Sequence, residues 1–263
     1  MFVPETKRVL RWKQDDSDVT IGFTTRNHGF SAYPEKSLNM GLHIDDDAAL
    51  VIKNRESVAE DIGVPLDHWI LAEQVHGTQV KHVTSSDRGL GARDLHTAVG
   101  GADGLITSDE NTLLAGFYAD CVPLYFMDES TGWIGIAHAG WKGTVNNMAG
   151  SMIEALKKQG ANTETLTMVI GPAISEDVYK VDDRVASQIA ERFRENVLQH
   201  IDTNGWLLDL KQLNRRLAIE AGMKGDNIVV SPSCTYKEEE LFFSHRRDEG
   251  QTGRMLGFIV RST

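Results

Sequence analysis

Cysteine is scarce in this chain of 263 residues, with Cys121 and Cys234 the only two. A disulfide-stapled scaffold is excluded, and a chain of this size is expected to keep the pair as thiols. Long apolar runs are missing as well. No stretch approaches the roughly 18 residues that a spanning helix needs, and MFVPETKRVLRWKQDD lacks the apolar core of a secretory signal. Both absences predict a soluble, cytoplasmic protein. Positive charge is in short supply: 27 Lys and Arg face 38 Asp and Glu, a formal net charge of −11. Neither nucleic acid nor an anionic membrane is therefore expected as a partner, and small ligands take their place. The nine histidines include no His-x-His pair, which argues against a multicopper centre. Repeats, low-complexity tracts and linkers are absent too, so one domain over residues 1–263 is expected.

What the chain does have is enough apolar content, 41%, to bury a substantial core. Two apolar runs, LLAGFYADC and WIGIAHAGWKGT, carry Cys121 and His138 at their ends. If LLAGFYADCVPLYFMD and GWIGIAHAG pair as antiparallel strands across ESTG, the thiol and the imidazole come together. His76, in EQVHG, also follows an apolar stretch, WILAEQV. Together the three make a Cys/His/His set suited to one zinc with a coordination position left open. Each residue alone reads more simply as a small buried hydrophobe, a core histidine or a turn residue. Their joint occurrence favours the metal.

Periodicity predicts strands at VTIGFTT, WILAEQVHG, TQVKHVT (with a turn at Gly77), LITS, TLTMVIGPAI, NIVVSPSCT and LGFIVR. Helices are predicted at AALVIKNRESVAEDIG, closing at Gly63, from a Thr144 cap to about Gly160, over VDDRVASQIAERFREN and over WLLDLKQLNRRLAIEAG. SDRGLGARDLHTAVGGADG reads as an exposed connection. Without a regular βαβ repeat, the fold class is α+β (mixed α/β): a single domain of mixed, largely antiparallel sheets flanked by helices.

Further polar residues gather outside this frame. The long stretch RNHGFSAYPEKSLNMGLHIDDD carries Arg26, His28, Ser37, Asn39 and His43, and loops of that length are commonly functional. FFSHRRDEGQTGRM concentrates His245, Arg246, Arg247 and Arg254, a set able to hold phosphate or carboxylate, with Arg247 alone reading as a solvated side chain. Lys142 sits at the predicted helix start, where free N–H groups would suit an anion. Asp120, beside Cys121, is a candidate proton relay or a group that orients a zinc-binding histidine, but in a strictly extended strand it would face the opposite side from Cys121 and cap a turn or pair elsewhere. His43, His82, His96 and His200 read as surface residues.

Taken together, RNHGFSAYPEKSLNMGLH, EQVHG, GADGLIT, ADCVPL, HAGWKGT, IGPAI, CTY and FFSHRRDEGQTGRM resemble the laccase-domain or polyphenol oxidase family across nearly the whole chain. The resemblance implies zinc ligation by His76, Cys121 and His138, and a fold similar to that of cysteine deamidase toxins. It further implies a purine nucleoside phosphorylase, using phosphate to cleave adenosine, inosine and methylthioadenosine, with adenosine deaminase activity. Lys142 stands where many members carry arginine, which keeps charge but loses the fork. Under this reading Arg26, His28, Lys142 or Arg246 receives phosphate, while Asn39, Gln74 or His245 contacts ribose or base. Two alternatives remain open: a copper-dependent polyphenol oxidase, and a metal-free hydrolase with Cys121 as nucleophile and His138 as base.

Overall fold

The computed structural model describes residues 1–13, 17–32, 37–203 and 205–262; residues 33–36, within the loop that begins at Arg26, lie outside them. Among the described residues the named strands form two six-stranded sheets and one of three strands. The first sheet orders Phe2–Pro4, Val9–Trp12, Val19–Thr24, Met255–Arg261, Leu113–Tyr118 and Trp69–Leu71. The second orders Ile228–Val230, Thr167–Ile170, Val122–Asp128, Trp133–Ala139, Gly104–Thr107 and Val80–His82. Neighbours are antiparallel except at one edge of the first sheet and both edges of the second. The small sheet joins Lys180–Asp182, Gly205–Leu208 and Leu198–Asp202. The fold is mixed α+β, as its pattern predicts.

The two large sheets pack face to face. Ile21, Phe23, Leu114 and Ile259 of the first meet Tyr125, Met127, Ile134 and Val169 of the second in one apolar cluster. Alternate residues point the other way. Leu124, Phe126 and Ala137 bury against the helices Met148–Lys158 and Leu210–Glu220. On the far side, Leu113, Ala115 and Phe258 bury with Val58 and Ala59 of the helix Ala48–Ile62. Helix, sheet, sheet and helices thus form four layers. Both faces of both sheets are covered, which is why the strands around Cys121 and His138 read as unbroken apolar runs rather than as alternations. Among the described residues no helix is long and apolar enough to cross a membrane.

Several elements differ from expectation. Trp69–Leu71 and Val80–His82 belong to different sheets, so the turn at Gly77 belongs to a crossing between layers and not to a hairpin. LLAGFYADCVPLYFMD likewise divides into one strand in each sheet, the change falling at residues 119–121. Thr144 lies inside a short helix, Trp141–Val145; the longer one is capped by Asn147, whose side chain accepts the Gly150 N–H at 3.0 Å. VDDRVASQIAERFREN opens on strand residues and holds two four-residue helices, Asp183–Ala186 and Glu191–Arg194. The start of WLLDLKQLNRRLAIEAG is also strand. Residues 86–104 are exposed only in part: Arg93, Asp94, His96 and Thr97 are exposed, but Ala92 and Ala102 are buried, and buried Arg55 donates to the Gly91 and Ala92 carbonyls at 2.8 and 2.7 Å.

Candidate metal centre and its cavity

His138 lies on Trp133–Ala139, paired in register opposite Pro123, so Cys121 immediately precedes the strand beside it. The expected antiparallel pairing therefore brings thiol and imidazole together. His76 arrives on the crossing from Trp69–Leu71 to Val80–His82, where Gln74 and His76 take positive φ values of 62° and 61°. Such backbone is uncommon outside glycine and persists only where its surroundings hold it. Here two side chains do so. The Gln74 amide donates to the Phe117 carbonyl at 2.9 Å and accepts the Phe117 N–H at 2.7 Å. Asp103 accepts the amide N–H groups of His76 and Gly77 at 3.0 and 2.7 Å.

The same Asp103 carboxylate lies 2.9 Å from Nδ1 of His138. With Nδ1 donating to a carboxylate, Nε2 is the ring nitrogen left for a metal, the arrangement that orients many histidine ligands. The ligand atoms of His76, Cys121 and His138 all lie within 4.8 Å of one another, with His138 buried, Cys121 half-buried and His76 exposed. Gly140 leaves the space open: a Cβ there would stand 2.9 Å from Cys121 Sγ and 3.4 Å from His76 Nδ1. One sulfur and two imidazole nitrogens, oriented from behind and facing a gap, fit a metal ion with an open position. Among the described residues no other group of three His, Cys, Asp or Glu side chains is placed to hold one.

Burial alone would lower the proton affinity of His138, but the Cys121 sulfur and Asp103 outweigh it and push its pKa up to about 9. His76 moves the other way through partial burial and the nearby His138. For Asp103 the cost of burial is overcome by its bonds to His138, Gly77 and His76, and its pKa falls.

A cavity of about 670 Å³ opens over these groups. Of the sequence-derived candidates, Gln74, Lys142, His245, Arg246 and Arg254 line it with His76, Cys121 and His138. The Gln74 amide is committed to Phe117, so its role is to hold the His76 segment. Lys142 is exposed, its ammonium 5.8 Å from the Trp141 ring centroid. The Arg246 guanidinium stacks 4.9 Å from the Tyr179 ring centroid and donates to the Lys180 carbonyl at 2.7 Å.

Arg26, His28 and Asn39 do not line the cavity. Arg26 lies over Phe243 and donates to the Glu239 carbonyl at 3.3 Å. His28 is exposed, at the mouth of the long loop, and its carbonyl accepts from Arg8 at 3.1 Å. Asn39 is buried and structural: its oxygen accepts the N–H groups of Gly41 and Arg254, both at 3.0 Å. Arg247 is no solvated side chain, since it donates to the carbonyls of Thr235, Tyr236 and Phe242 at 3.0, 3.1 and 2.9 Å. Cys234 is a buried free thiol that accepts from Ser175 Oγ at 2.9 Å.

Two residues of the site went unassigned in the sequence reading, Asp103 behind the cluster and His43 on the cavity wall, whereas Arg254 was among the C-terminal cations named there. Asp103 was hidden in GADG, which reads as turn punctuation. Arg254 lines the wall, held by its donation to the Thr252 and Gly253 carbonyls at 2.8 and 3.0 Å. His43 is exposed, as read, and it also lines the cavity, its ring 5.5 Å from that of Phe117. Burial and the Arg254 and Arg55 guanidiniums lower its pKa to about 4.

A family model described as multi-copper polyphenol oxidoreductase laccase matches residues 20–262. The purine nucleoside phosphorylase YlmD of Bacillus subtilis is 44% identical over 265 residues, covering 98% of this chain and 95% of that protein. The crystal structure of YlmD from Geobacillus stearothermophilus superposes with a TM-score of 0.94 at 43% identity, over 100% of this chain and 99% of that one. The hypothetical protein YfiH of Bacillus licheniformis gives 0.95 at 42%, over 98% of both. Sequence, fold and the extent of the match agree, and the chain belongs to the multi-copper polyphenol oxidoreductase laccase family.

Proposed function

We propose that the protein is a zinc-dependent purine nucleoside phosphorylase that cleaves adenosine, inosine and methylthioadenosine with phosphate, and that adenosine deamination occurs in the same cavity. The observation that carries this reading is that one cavity is lined by both the Cys/His/His cluster and three cationic side chains, Lys142, Arg246 and Arg254. In a chain of net charge −11 such a local excess of positive charge suits a phosphate. The name carried by the Bacillus subtilis relative supports the phosphorylase assignment.

His76, Cys121 and His138 would hold the zinc, which when bound supplies a Lewis acid and a means of activating water. The remaining chemistry belongs to the chain. In phosphorolysis a phosphate oxygen bonds the anomeric carbon while the glycosidic electron pair leaves with the base nitrogen. Lys142, Arg246 and Arg254 hold the phosphate and fix its approach, a positioning task at which forked guanidiniums excel. His43 is neutral near pH 7, because its pKa lies at about 4, and so offers ribose or base a hydrogen bond without adding charge. Tyr179, below Arg246, supplies a ring face to the same wall.

One observation favours a second reading. The high proton affinity of His138 beside the Cys121 sulfur resembles the nucleophile and base of a metal-free cysteine hydrolase. A copper oxidase has less support, since the described residues assemble one three-ligand cluster and not several, although such a site would take copper readily. The deciding experiment follows base release from inosine and adenosine, with and without phosphate, in metal-quantified wild type and His76→Ala. Phosphate-dependent hypoxanthine that disappears with the zinc in His76→Ala supports the phosphorylase. Turnover that survives both His76→Ala and chelation would establish the dyad instead.

A further inference from the structure

Asp120 is buried, directly precedes Cys121 and takes φ of 82°, a backbone state that an aspartate holds only when its surroundings enforce it. The enforcement comes from far along the chain. Oδ1 accepts from Thr235 Oγ1 at 2.7 Å, while Oδ2 accepts from Ser244 Oγ at 3.0 Å and from the Arg246 N–H at 2.7 Å. Its carbonyl accepts the Ile174 N–H at 3.1 Å, which fixes a further part of the cavity wall. Among the described residues no cationic side chain forms an ion pair with it. All of its bonding is spent on tying other segments to the residue before the metal ligand.

The tied segments matter because of what they carry. Ser244 and Arg246 begin the turn that presents the Arg246 guanidinium, and Arg247 clamps that turn from behind through the carbonyls of Thr235, Tyr236 and Phe242. The turn is thus stiff in itself, and Asp120 is its bond to the floor of the cavity. We propose that Asp120 is a positioning residue that sets the Arg246 wall relative to Cys121, and with it the seat of the phosphate. This rests on the phosphorylase reading above. Asp120 is buried on the cavity wall, and donors from the chain occupy three of the roughly four acceptor positions of its carboxylate. A displacement of Arg246 by even 1 Å would be felt in phosphate binding, since positioning is steep in distance.

Asp120→Asn tests this at constant size. An amide keeps one acceptor and turns the other position into a donor, so a donor must face either Thr235 or the Ser244 and Arg246 pair. Titration of zinc-loaded protein with inorganic phosphate, together with steady-state kinetics, should give a phosphate Kd and KM raised roughly tenfold, the scale of one lost hydrogen bond. The KM for inosine should stay within about twofold and the zinc content should match wild type. An unchanged phosphate Kd overturns the proposal, and so does a parallel rise in the inosine and phosphate constants or a loss of zinc. If Asp120→Asn does not fold, Ser244→Ala removes one donor from the same oxygen and should raise the phosphate constants selectively by a smaller factor; no rise there also overturns it. Wild-type protein without phosphate-dependent base release defeats the phosphorylase reading. Wild-type protein that turns over while Asp120→Asn binds phosphate normally defeats only the positioning role.

Discussion

A methyl group on Gly140 would stand 2.9 Å from the sulfur of Cys121. The backbone at 140 (φ −69°, ψ 177°) is open to any residue, so the glycine is needed for space and not for conformation. Gly140→Ala should therefore leave the metal-free fold almost unchanged and weaken zinc binding by tenfold or more, read by chelator competition. An alanine variant that binds zinc like wild type would show that the ligand cluster has room to spare.

Asp103 joins the two histidine ligands, through the ring of His138 and the amide of His76. Asp103→Asn should reduce metal affinity by roughly 10- to 100-fold, the usual cost of losing a carboxylate behind a histidine ligand. It should also destabilise the metal-free protein by about 1–3 kcal/mol, since two amide N–H groups lose an ionised acceptor. Metal titration and thermal unfolding of the stripped protein separate the two effects.

Zinc affinity should climb with pH. His138 keeps its proton up to about pH 9 in the metal-free protein, and a metal must displace it. Apparent affinity should rise by about tenfold per pH unit between pH 6 and 8, and a flat profile would contradict it. For the metal-free fold the sign is opposite: a raised histidine pKa adds stability that is fully present below the ordinary 6.5 and is lost as pH rises through about 9.

Arg26→Ala and Arg246→Ala should part company. Arg26 sits over Phe243, away from the cavity, and its loss should leave the phosphate KM within about twofold. Loss of Arg246 from the wall should raise that KM by roughly tenfold, as expected for a charged hydrogen-bond donor. Equal effects would place the phosphate elsewhere.

The meeting of His76, Cys121 and His138 was legible because each closes an apolar run and because strand pairing across residues 129–132 had one simple solution. The helix Ala48–Ile62 was legible too, down to its left-handed cap at Gly63. The layering was not. An apolar strand buried on both faces gives no sign of which sheet it joins, so the crossing at Asp120 passed as continuous strand. Asp103 went unseen because its bonds are made to residues 26, 27 and 35 positions away. The strand residues that open VDDRVASQIAERFREN reflect the pairing of Lys180–Asp182 with Gly205–Leu208, a tertiary contact that outweighs weak helical preference.

Both passages of the chain from the first large sheet to the second carry a residue of the cluster, His76 on the earlier and Cys121 on the later, while His138 belongs to the second sheet itself. A bound ion would then act as a rivet across the seam of the sandwich. Amide exchange in segments 72–79 and 119–121 should slow together on loading, and the two halves of the sandwich should come apart in one step rather than two.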